Sequence, residues 1–464
     1  MKKTRRILVI ALVLLLAAST VFASGASEAS AGGKKKITVW LGWPSLMNVF
    51  DGIKADYEAE NPNVELEITA YNLRDFEQKL AVSLPAGQGP DVIITSEYII
   101  PLYVDAGLIS EMPDDIYKFV EDNFDELVKS VNKFKGPNDK EAKLYGVPHI
   151  GIARVQYYNK DMMREAGLEP KAPETWDELI DDAIKMTKYD ENGNVTVSGT
   201  SLRIMGGGSG TGEKFMIKLV QAGGSFLGRT ADGGWKANYV TEEGIDALQL
   251  YIDCLYKYKV DSFEAKHDTD AFVAKQTAMF DRELLSVTQI MASSPDIDFG
   301  VAPMPGNKVR GTVYSTESYF VSEASKNKDT AWDFIKFCSR EKYVKEFFIK
   351  DGWVPCRTDI DFSDVFAQYP GFKAAFEFPE GYKFWVYPTI PCADEVITKF
   401  AEGLMEYFKD ETLLGNREKM RAQLQVLADE TNAILKENGL LGEGPVVRPG
   451  DVIDVPAFSG YQAK

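Results

Sequence analysis

Aromatic and planar polar side chains that directly follow strands are the residues of this sequence best suited to chemistry. Strands are predicted at residues 36–40, 91–95 and 277–280. The side chains that come just past them are Trp43, Ser96, Glu97, Tyr98, Asp281 and Arg282. Rings stack on the apolar C–H faces of sugars, and carboxylates and guanidinium groups exchange paired hydrogen bonds with hydroxyls. Ligands of open α/β sheets bind beyond the carboxyl ends of strands, so this placement indicates a site for a small polar solute.

Enzyme chemistry finds little support in the same sequence. Only His149 and His267 are available as imidazole bases, and no G-x-S-x-G nucleophile elbow occurs. His149 follows a proline in an extended stretch, which favours a hinge or packing role. The chain has 70 acidic residues, and without geometry no carboxylate pair among them can be assigned to sugar hydrolysis. An exported carbohydrate hydrolase therefore stays open as the alternative.

A glycine-rich run at residues 206–214 (GGGSGTGEK) resembles a phosphate-binding loop. That motif requires Gly-Lys-Ser/Thr, but Glu213 separates the glycine from Lys214 here and Phe215 replaces the hydroxyl. A carboxylate at this point repels phosphate. We therefore exclude nucleotide binding, and we expect these glycines to allow close backbone approach to a ligand or to form a turn.

The cysteine and histidine content argues against a metal centre, and we expect no cofactor. The four cysteines are Cys254, Cys338, Cys356 and Cys392, and no C-x-x-C pair occurs. We expect them to be small apolar core residues with at most one disulfide, whose pairing the sequence does not determine.

The N-terminal residues are typical of a secretory signal. A positive segment precedes the apolar run at 7–18, and small residues favour cleavage after Ala23. We predict a signal peptide at 1–23 and a flexible tether at 24–36, followed by a periplasmic protein. No cysteine lies near the cut, so we do not expect a lipoprotein. The formal charge of −18 disfavours nucleic acid and anionic lipid as partners.

The alternation of elements predicts the fold class. The strand at 36–40, a helix at 47–60, a strand at 64–68, a helix at 76–83 and the strand at 91–95 follow in β-α-β-α-β order. That order implies a doubly wound, mainly parallel α/β sheet. Further along, the extended stretches at 145–159 and 313–321 are long enough to cross between two lobes, which a chain of 464 residues leads us to expect.

Several segments, in this order, resemble the solute-binding proteins of ABC importers, in the branch that includes the maltose-binding proteins. The most specific is YYNKDMMREAGLEPKAPETWDEL at 157–179. The other matching segments are ITVW, GPDVI, DAGLI, YGVP, QAGGSFL, AMF, FGVAPMPG, SEASKNKDTAWDFIKF and GWVP. They spread over most of residues 36–410. The resemblance implies a periplasmic-binding-protein fold of two α/β lobes, joined by crossover strands, with the ligand in the cleft between them.

The resemblance also implies lobe boundaries and site residues. The first lobe is expected at 37–148 plus about 312–360, and the second at 149–311 plus about 361–464. The residues expected to face the ligand are Trp43, Asp75, Ser96, Glu97, Tyr98, Arg154, Gly207, Ser209, Asp281, Arg282, Trp353 and Tyr387. At 281–285 the sequence reads DRELL, where the family usually has Gly-Trp, which puts ring stacking there in doubt.

The expected role is therefore that of a monomeric, non-enzymatic protein that captures a sugar or oligosaccharide for an importer's permease subunits. Monosaccharides, oligosaccharides, polyols and glycerol phosphate all remain compatible with the sequence, because Arg154 and Arg282 allow an anionic group. A sensor or adhesin subunit on the same fold is a further alternative that differs only in its partner.

Overall fold

The computed structural model describes residues 34–206, 209–264 and 268–454. The signal peptide and nearly all of the tether that we predict lie outside these residues, as does Gly207. The strands are β1 (Lys35–Leu41), β2 (Val64–Ala70), β3 (Val92–Ser96), β4 (Lys133–Phe134), β5 (Lys143–Leu144), β6 (Val147–Asn159), β7 (Lys188–Tyr189), β8 (Val195–Val197), β9 (Leu227–Thr230), β10 (Trp235–Ala237), β11 (Met279–Glu283), β12 (Phe299–Ala302), β13 (Gly311–Val321), β14 (Val354–Pro355), β15 (Lys383–Val386), β16 (Val446–Pro449) and β17 (Val452–Asp454).

Helices alternate with the strands along the chain and pack against the sheets. They are α1 (Met47–Glu60), α2 (Leu73–Ser83), α3 (Pro101–Asp105), α4 (Asp114–Asn123), α5 (Glu126–Val131), α6 (Lys160–Glu165), α7 (Trp176–Met186), α8 (Gly210–Gln221), α9 (Glu242–Ile252), α10 (Asp268–Val273), α11 (Ser286–Ser293), α12 (Lys328–Cys338), α13 (Glu341–Asp351), α14 (Ser363–Gln368), α15 (Ala393–Phe408) and α16 (Arg417–Glu437). Among the described residues, no helix is long and apolar enough to cross a membrane.

Helix α1 illustrates how the sequence determines these elements. Phe50, Ile53 and Tyr57 are buried at helical spacing, and the helix ends at Glu60, before Asn61 and Pro62. Helix α7 begins where the sequence predicts, because the Thr175 hydroxyl accepts a hydrogen bond from the Glu178 backbone N–H at 3.1 Å.

The first lobe has the parallel order that the sequence predicts. Strand β1 pairs in parallel with β2 on one side and with β3 on the other. Helices α1 and α2 lie between these strands in the chain, as the crossovers of parallel strands require. All carboxyl ends of these three strands therefore point to the same edge, where Trp43 and Ser96 lie.

Two long strands, β6 and β13, run antiparallel to each other through the middle of the sheet. The end of β13, through Glu317 to Val321, pairs with β3, whereas its start pairs with β15. Strand β6 continues in the other direction, where β11 and β12 pair with it. Both strands thus pass from one group of strands to the other, as the extended stretches at 145–159 and 313–321 predict.

The second lobe is a mixed sheet rather than a wholly parallel one. Strands β11 and β12 run antiparallel to β6, because β6 enters this lobe directly from the first. The C-terminal residues return to the same region. Strand β17 pairs with β15, and β16 pairs with β9. The sequence reasoning assigned no role to these residues, and the structure places them as sheet strands.

The four cysteines are buried and free, so the structure contains none of the disulfides that the sequence allows among them. Burial raises the pKa of the Cys392 thiol to about 11. A buried thiol of raised pKa is a poor nucleophile. These residues therefore act as small apolar core groups.

His149 lies in the core at the junction between the lobes. Its ring is 4.6 Å from that of Tyr319 and 4.5 Å from that of Phe347, measured between centroids. Burial lowers its pKa to about 3, against an ordinary value of 6.5. The folded protein therefore keeps this imidazole neutral, in a packing role.

We expect replacement of His149 by Phe to remove part of the acid sensitivity of the fold. The unfolded chain takes up a proton below pH 6.5 and the folded chain does not, so His149 lowers the free energy of unfolding by about 1.4 kcal/mol per pH unit between pH 6 and pH 3. Urea unfolding of the parent and of H149F at pH 4 to 7 measures the difference. H267Q is the matched control. Equal acid slopes for the parent and H149F would contradict the prediction.

Candidate functional site

The first wall of the candidate site contains two tryptophans. Trp43 follows β1, and its ring meets that of Trp353 edge-on, with centroids 5.7 Å apart. Trp353 is positioned by Gly352, whose φ of 71° ends α13 in the left-handed conformation that suits glycine. The indole N–H groups of both tryptophans are buried and have no hydrogen-bond partner among the described residues. These two donors are available for a ligand.

Two buried acidic side chains lie at the end of β3. Glu97 accepts a hydrogen bond from the Thr316 backbone N–H at 2.7 Å, and the Ser96 hydroxyl donates to Glu317 of β13. Glu97 is 2% exposed and Glu317 is fully buried. Burial raises the pKa of Glu97 well above its ordinary value and that of Glu317 to about 7. One carboxyl oxygen of each residue has no partner among the described residues.

A pair of stacked tyrosines joins the end of β3 to the end of β15. Tyr98, after β3, and Tyr387, after β15, have ring centroids 4.3 Å apart and planes inclined by 21°. The Tyr387 hydroxyl donates to Glu213 of α8 at 2.6 Å. Arg74 and Glu77 form an ion pair of 2.7 Å, and the Glu77 carboxylate acts electrostatically on Tyr98. Aromatic rings and charged groups therefore lie together between the end of β3 and α8.

Arg154 of β6 is the centre of a buried charge network. Its guanidinium group pairs with Glu213 and, at 2.9 Å, with Glu283, which in turn lies 2.9 Å from Arg282. Arg154 is 3% exposed. Burial opposes the ionisation of Glu283, but Arg154 and Arg282 lower its pKa to about 2. Both arginines are thus neutralised by carboxylates of the protein itself.

The predicted position of Asp281 and Arg282 in a loop after a strand at 277–280 is wrong. Both residues lie within β11, in which Glu283 is the cross-strand partner of Arg154. The buried ion pair between these two partners lets the strand continue through a charged segment. Lys214 of α8 stabilises the same strand. The Lys214 ammonium group donates to the carbonyl oxygen of Asp281 at 2.6 Å and lies 3.4 Å from the Asp281 carboxylate.

The remaining candidate ligand-binding residues, Asp75, Gly207 and Ser209, lie outside the groups of contacts described above. Asp75 is exposed on the first turn of α2 and makes no hydrogen bond or ion pair within the described residues. Ser209 is buried directly before α8, and Gly207 lies outside the described residues. The structure therefore brings most of the predicted ring, carboxylate and guanidinium side chains together, but not Asp75.

Sequence reasoning missed the acidic residues Glu213, Glu283 and Glu317. Glu213 served only to exclude a phosphate loop, and Glu283 was overlooked beside Arg282. Glu317 had a recognisable signal, because it is the one charged residue in the strand GTVYSTESYFV. A charge inside an otherwise buried crossing strand requires partners or a function.

The chain belongs to the bacterial extracellular solute-binding proteins, because residues 52–374 match the model of that family. It is 26% identical over 431 residues to a binding protein of Brucella abortus, covering 91% of this chain and 98% of the relative. It is 24% identical over 336 residues to the maltotriose-binding protein of Pyrococcus abyssi, covering 71% of this chain and 68% of the relative.

A solved structure of the same class confirms the two-lobe binding-protein fold. It is an ABC transporter solute-binding protein of Thermotoga lettingae, bound with α-D-tagatose. The TM-score is 0.70 at 24% sequence identity, over 87% of this chain and 100% of the other. The family consists of binding proteins and not of enzymes, which agrees with the non-enzymatic role that the sequence indicates.

Proposed function

We propose that this protein binds a neutral sugar or oligosaccharide in the cleft between its lobes and passes it unaltered to an ABC importer. The observation that carries the proposal is the proximity, near the ends of β1 and β3, of aromatic rings and of buried hydrogen-bonding atoms without partners among the described residues. The indole N–H groups of Trp43 and Trp353 donate, and the carboxyl oxygens of Glu97 and Glu317 accept. Vicinal hydroxyls both donate and accept, so they match this set.

A neutral ligand fits the electrostatics better than an anionic one. Arg154 is paired with Glu213 and Glu283, and Arg282 with Glu283. An anion would have to compete with these partly buried carboxylates, which repel it. Glycerol phosphate, which the sequence alone leaves open, is therefore disfavoured. The relatives whose names state a ligand include sugar binders such as the maltotriose-binding protein of Pyrococcus abyssi.

The lobes that clamp the ligand are proposed at residues 37–148 plus about 312–360, and at 149–311 plus about 361–464. The passage of β6 and β13 between the two groups of strands supports these limits. We further propose that the protein is exported to the periplasm after cleavage of residues 1–23. There it acts as a monomer and docks on the permease subunits of the importer.

Thermal unfolding with a panel of sugars tests the function. A ligand that binds only the folded state raises the melting temperature, by an amount that grows with ligand concentration. Maltotriose and tagatose are the first members of the panel, and glycerol 3-phosphate is the anionic comparison. Small-angle scattering with the stabilising sugar should show compaction as the lobes close. The proposal fails if no neutral sugar raises the melting temperature or if glycerol 3-phosphate does so more strongly.

Replacing Trp43 by Ala should weaken sugar binding by about 1–3 kcal/mol, which is 5-fold to 150-fold in Kd. The ring borders Trp353 and is only partly buried, so its removal opens the first wall without emptying the core. Titration calorimetry with the stabilising sugar measures the loss. W43F is the matched control, since it keeps a ring but lacks the N–H, and it should retain part of the affinity. Unchanged affinity in W43A removes Trp43 from the site.

A further inference from the structure

Glu317 occupies an unusual place for a carboxylate. It lies on β13, one of the two strands that cross between the lobes, and it is fully buried. The pairing of β13 with β6 shifts register between Glu317 and Ser318, where His149 of β6 is the extra, unpaired residue. Such irregularities are frequent beside functional sites. One Glu317 oxygen accepts from Ser96, and the other has no partner among the described residues.

The charged groups that face Glu317 are acidic. Glu97 lies in the turn after β3, and the charge of Glu317 raises its pKa. Glu77 lies on α2, and its charge raises the pKa of Glu317. No lysine or arginine within the described residues forms an ion pair with Glu97 or Glu317. Two adjacent carboxylates cannot both ionise in a buried site without a large cost. The empty site therefore holds protons, and the polar groups nearest to Glu317 are Ser96 and the Trp43 indole.

The Glu317 carboxyl group lies next to the indole of Trp43. Its N–H favours the charged form of Glu317 but makes no hydrogen bond of normal geometry. The Trp353 N–H, next to the Trp43 ring, is likewise unpartnered. The buried Glu317 acceptor and the Trp43 donor thus lie next to each other, and the Trp353 ring borders the Trp43 ring. Such groups are normally satisfied by a ligand or by water.

We propose that Glu317, together with Trp43 and Trp353, forms a subsite for two adjacent hydroxyls of the ligand, and that its proton occupancy sets the affinity. This inference rests on the proposed function. The carboxylate accepts from one hydroxyl, and an indole N–H donates to the neighbouring one. Binding of a neutral ligand to the carboxylate form releases the proton that Glu317 holds in the empty site.

The sign of the pH dependence follows from this assignment. Burial raises the pKa of Glu317 to about 7, while Ser96 and Trp43 act in the opposite direction. Below pH 7 the free protein holds a proton on Glu317, which must leave before the carboxylate can accept a hydroxyl. Sugar affinity should therefore rise roughly 10-fold between pH 6 and pH 8, and E317Q should bind weakly and without this dependence.

The first measurement needs no ligand. Protonation of Glu317 beside the Trp43 indole should change the tryptophan fluorescence near pH 7 in the free protein. The transition should vanish in E317Q and in W43F. It should move to higher pH in S96A, which loses a hydrogen bond that favours the charged form. E323Q, at an exposed ion pair just past β13, is the matched control and should titrate like the parent. A transition that persists in E317Q would overturn the assignment.

Calorimetry then tests whether sugar binding releases the Glu317 proton. Titration of maltotriose, or of the panel sugar with the largest thermal shift, in two buffers of different ionisation enthalpy counts the protons released on binding. The expected release is close to one proton at pH 6 for the parent and none for E317Q. No proton release, or a pH slope that E317Q retains, would overturn the subsite. If no sugar stabilises the parent, the proposed function and the ligand part of this inference fail together, while the fluorescence titration still decides whether Glu317 carries the proton.

Discussion

Arg154→Met should destabilise the protein by about 3–5 kcal/mol and abolish sugar binding, because it leaves two partly buried carboxylates without their shared cation. Glu213 and Glu283 both pair with Arg154, which is itself 3% exposed. Removing one member of a buried ion network costs far more than the network contributes as a whole. Urea unfolding at pH 7, followed by circular dichroism, measures the loss.

A combined variant separates the charge effect from simple packing. R154M/E213Q/E283Q removes the cation and both anions, so it should regain most of the stability that R154M loses. It should not regain sugar binding, because the guanidinium group that pairs with Glu213 beside the Tyr387 hydroxyl is still absent. R164M, in an exposed pair with Asp161 and Asp298, is the matched control and should change stability by less than about 1 kcal/mol. Equal stability of R154M and R164M would contradict the network.

The first lobe could be predicted from the sequence because its signals are local. Helix α1 follows from the spacing of Phe50, Ile53 and Tyr57, and the parallel order of β1, β2 and β3 follows from the alternation of strands and helices. Residues at strand ends could then be placed at a common edge. For this reason the sequence alone was enough to predict that Trp43, Ser96 and Glu97 lie at the candidate site.

The charged part of the site could not be predicted in the same way. Arg154, Glu213 and Glu283 come from three separate elements, β6, α8 and β11, and only tertiary packing makes them partners. The error over Asp281 and Arg282 has the same origin. Polar residues usually end a strand. Here β11 continues through Asp281 and Arg282, because the ion pair between Glu283 and Arg154 compensates the cost of placing charged groups inside the sheet.

The structural role of the residues after Gly439 could not be predicted from local sequence patterns. Their glycine, proline and valine content predicts neither a helix nor a distinct strand, yet they supply β16 and β17. Asp451, between these strands, is fully buried and accepts hydrogen bonds from the Leu227 backbone N–H at 2.8 Å and from the Trp385 indole at 2.9 Å. We define residues 440–454 as the C-terminal strap.

A chain that ends at Gly439 should lose at least about 3 kcal/mol of unfolding free energy relative to one that ends at Asp454. The shorter chain removes the strap from β9 and β15 and uncovers Trp385, which is otherwise fully buried. The Trp385 ring lies 4.7 Å from that of Tyr387, so sugar affinity should fall as well. Urea unfolding and calorimetry of the two chains measure both effects.

A single substitution in the strap tests its chemistry without removing strands. Burial raises the pKa of Asp451 to about 7, so the folded chain binds this proton more tightly than the unfolded chain. The contribution of Asp451 to stability is therefore greatest below pH 4 and declines as the pH rises from 4 to 7. D451N keeps an acceptor for Leu227 and Trp385 without the titration, so it should match the parent near pH 4 and exceed it increasingly as the pH rises to 8. If D451N is less stable than the parent at pH 8, the strap is held by the charged carboxylate and not by the neutral hydrogen bonds inferred here.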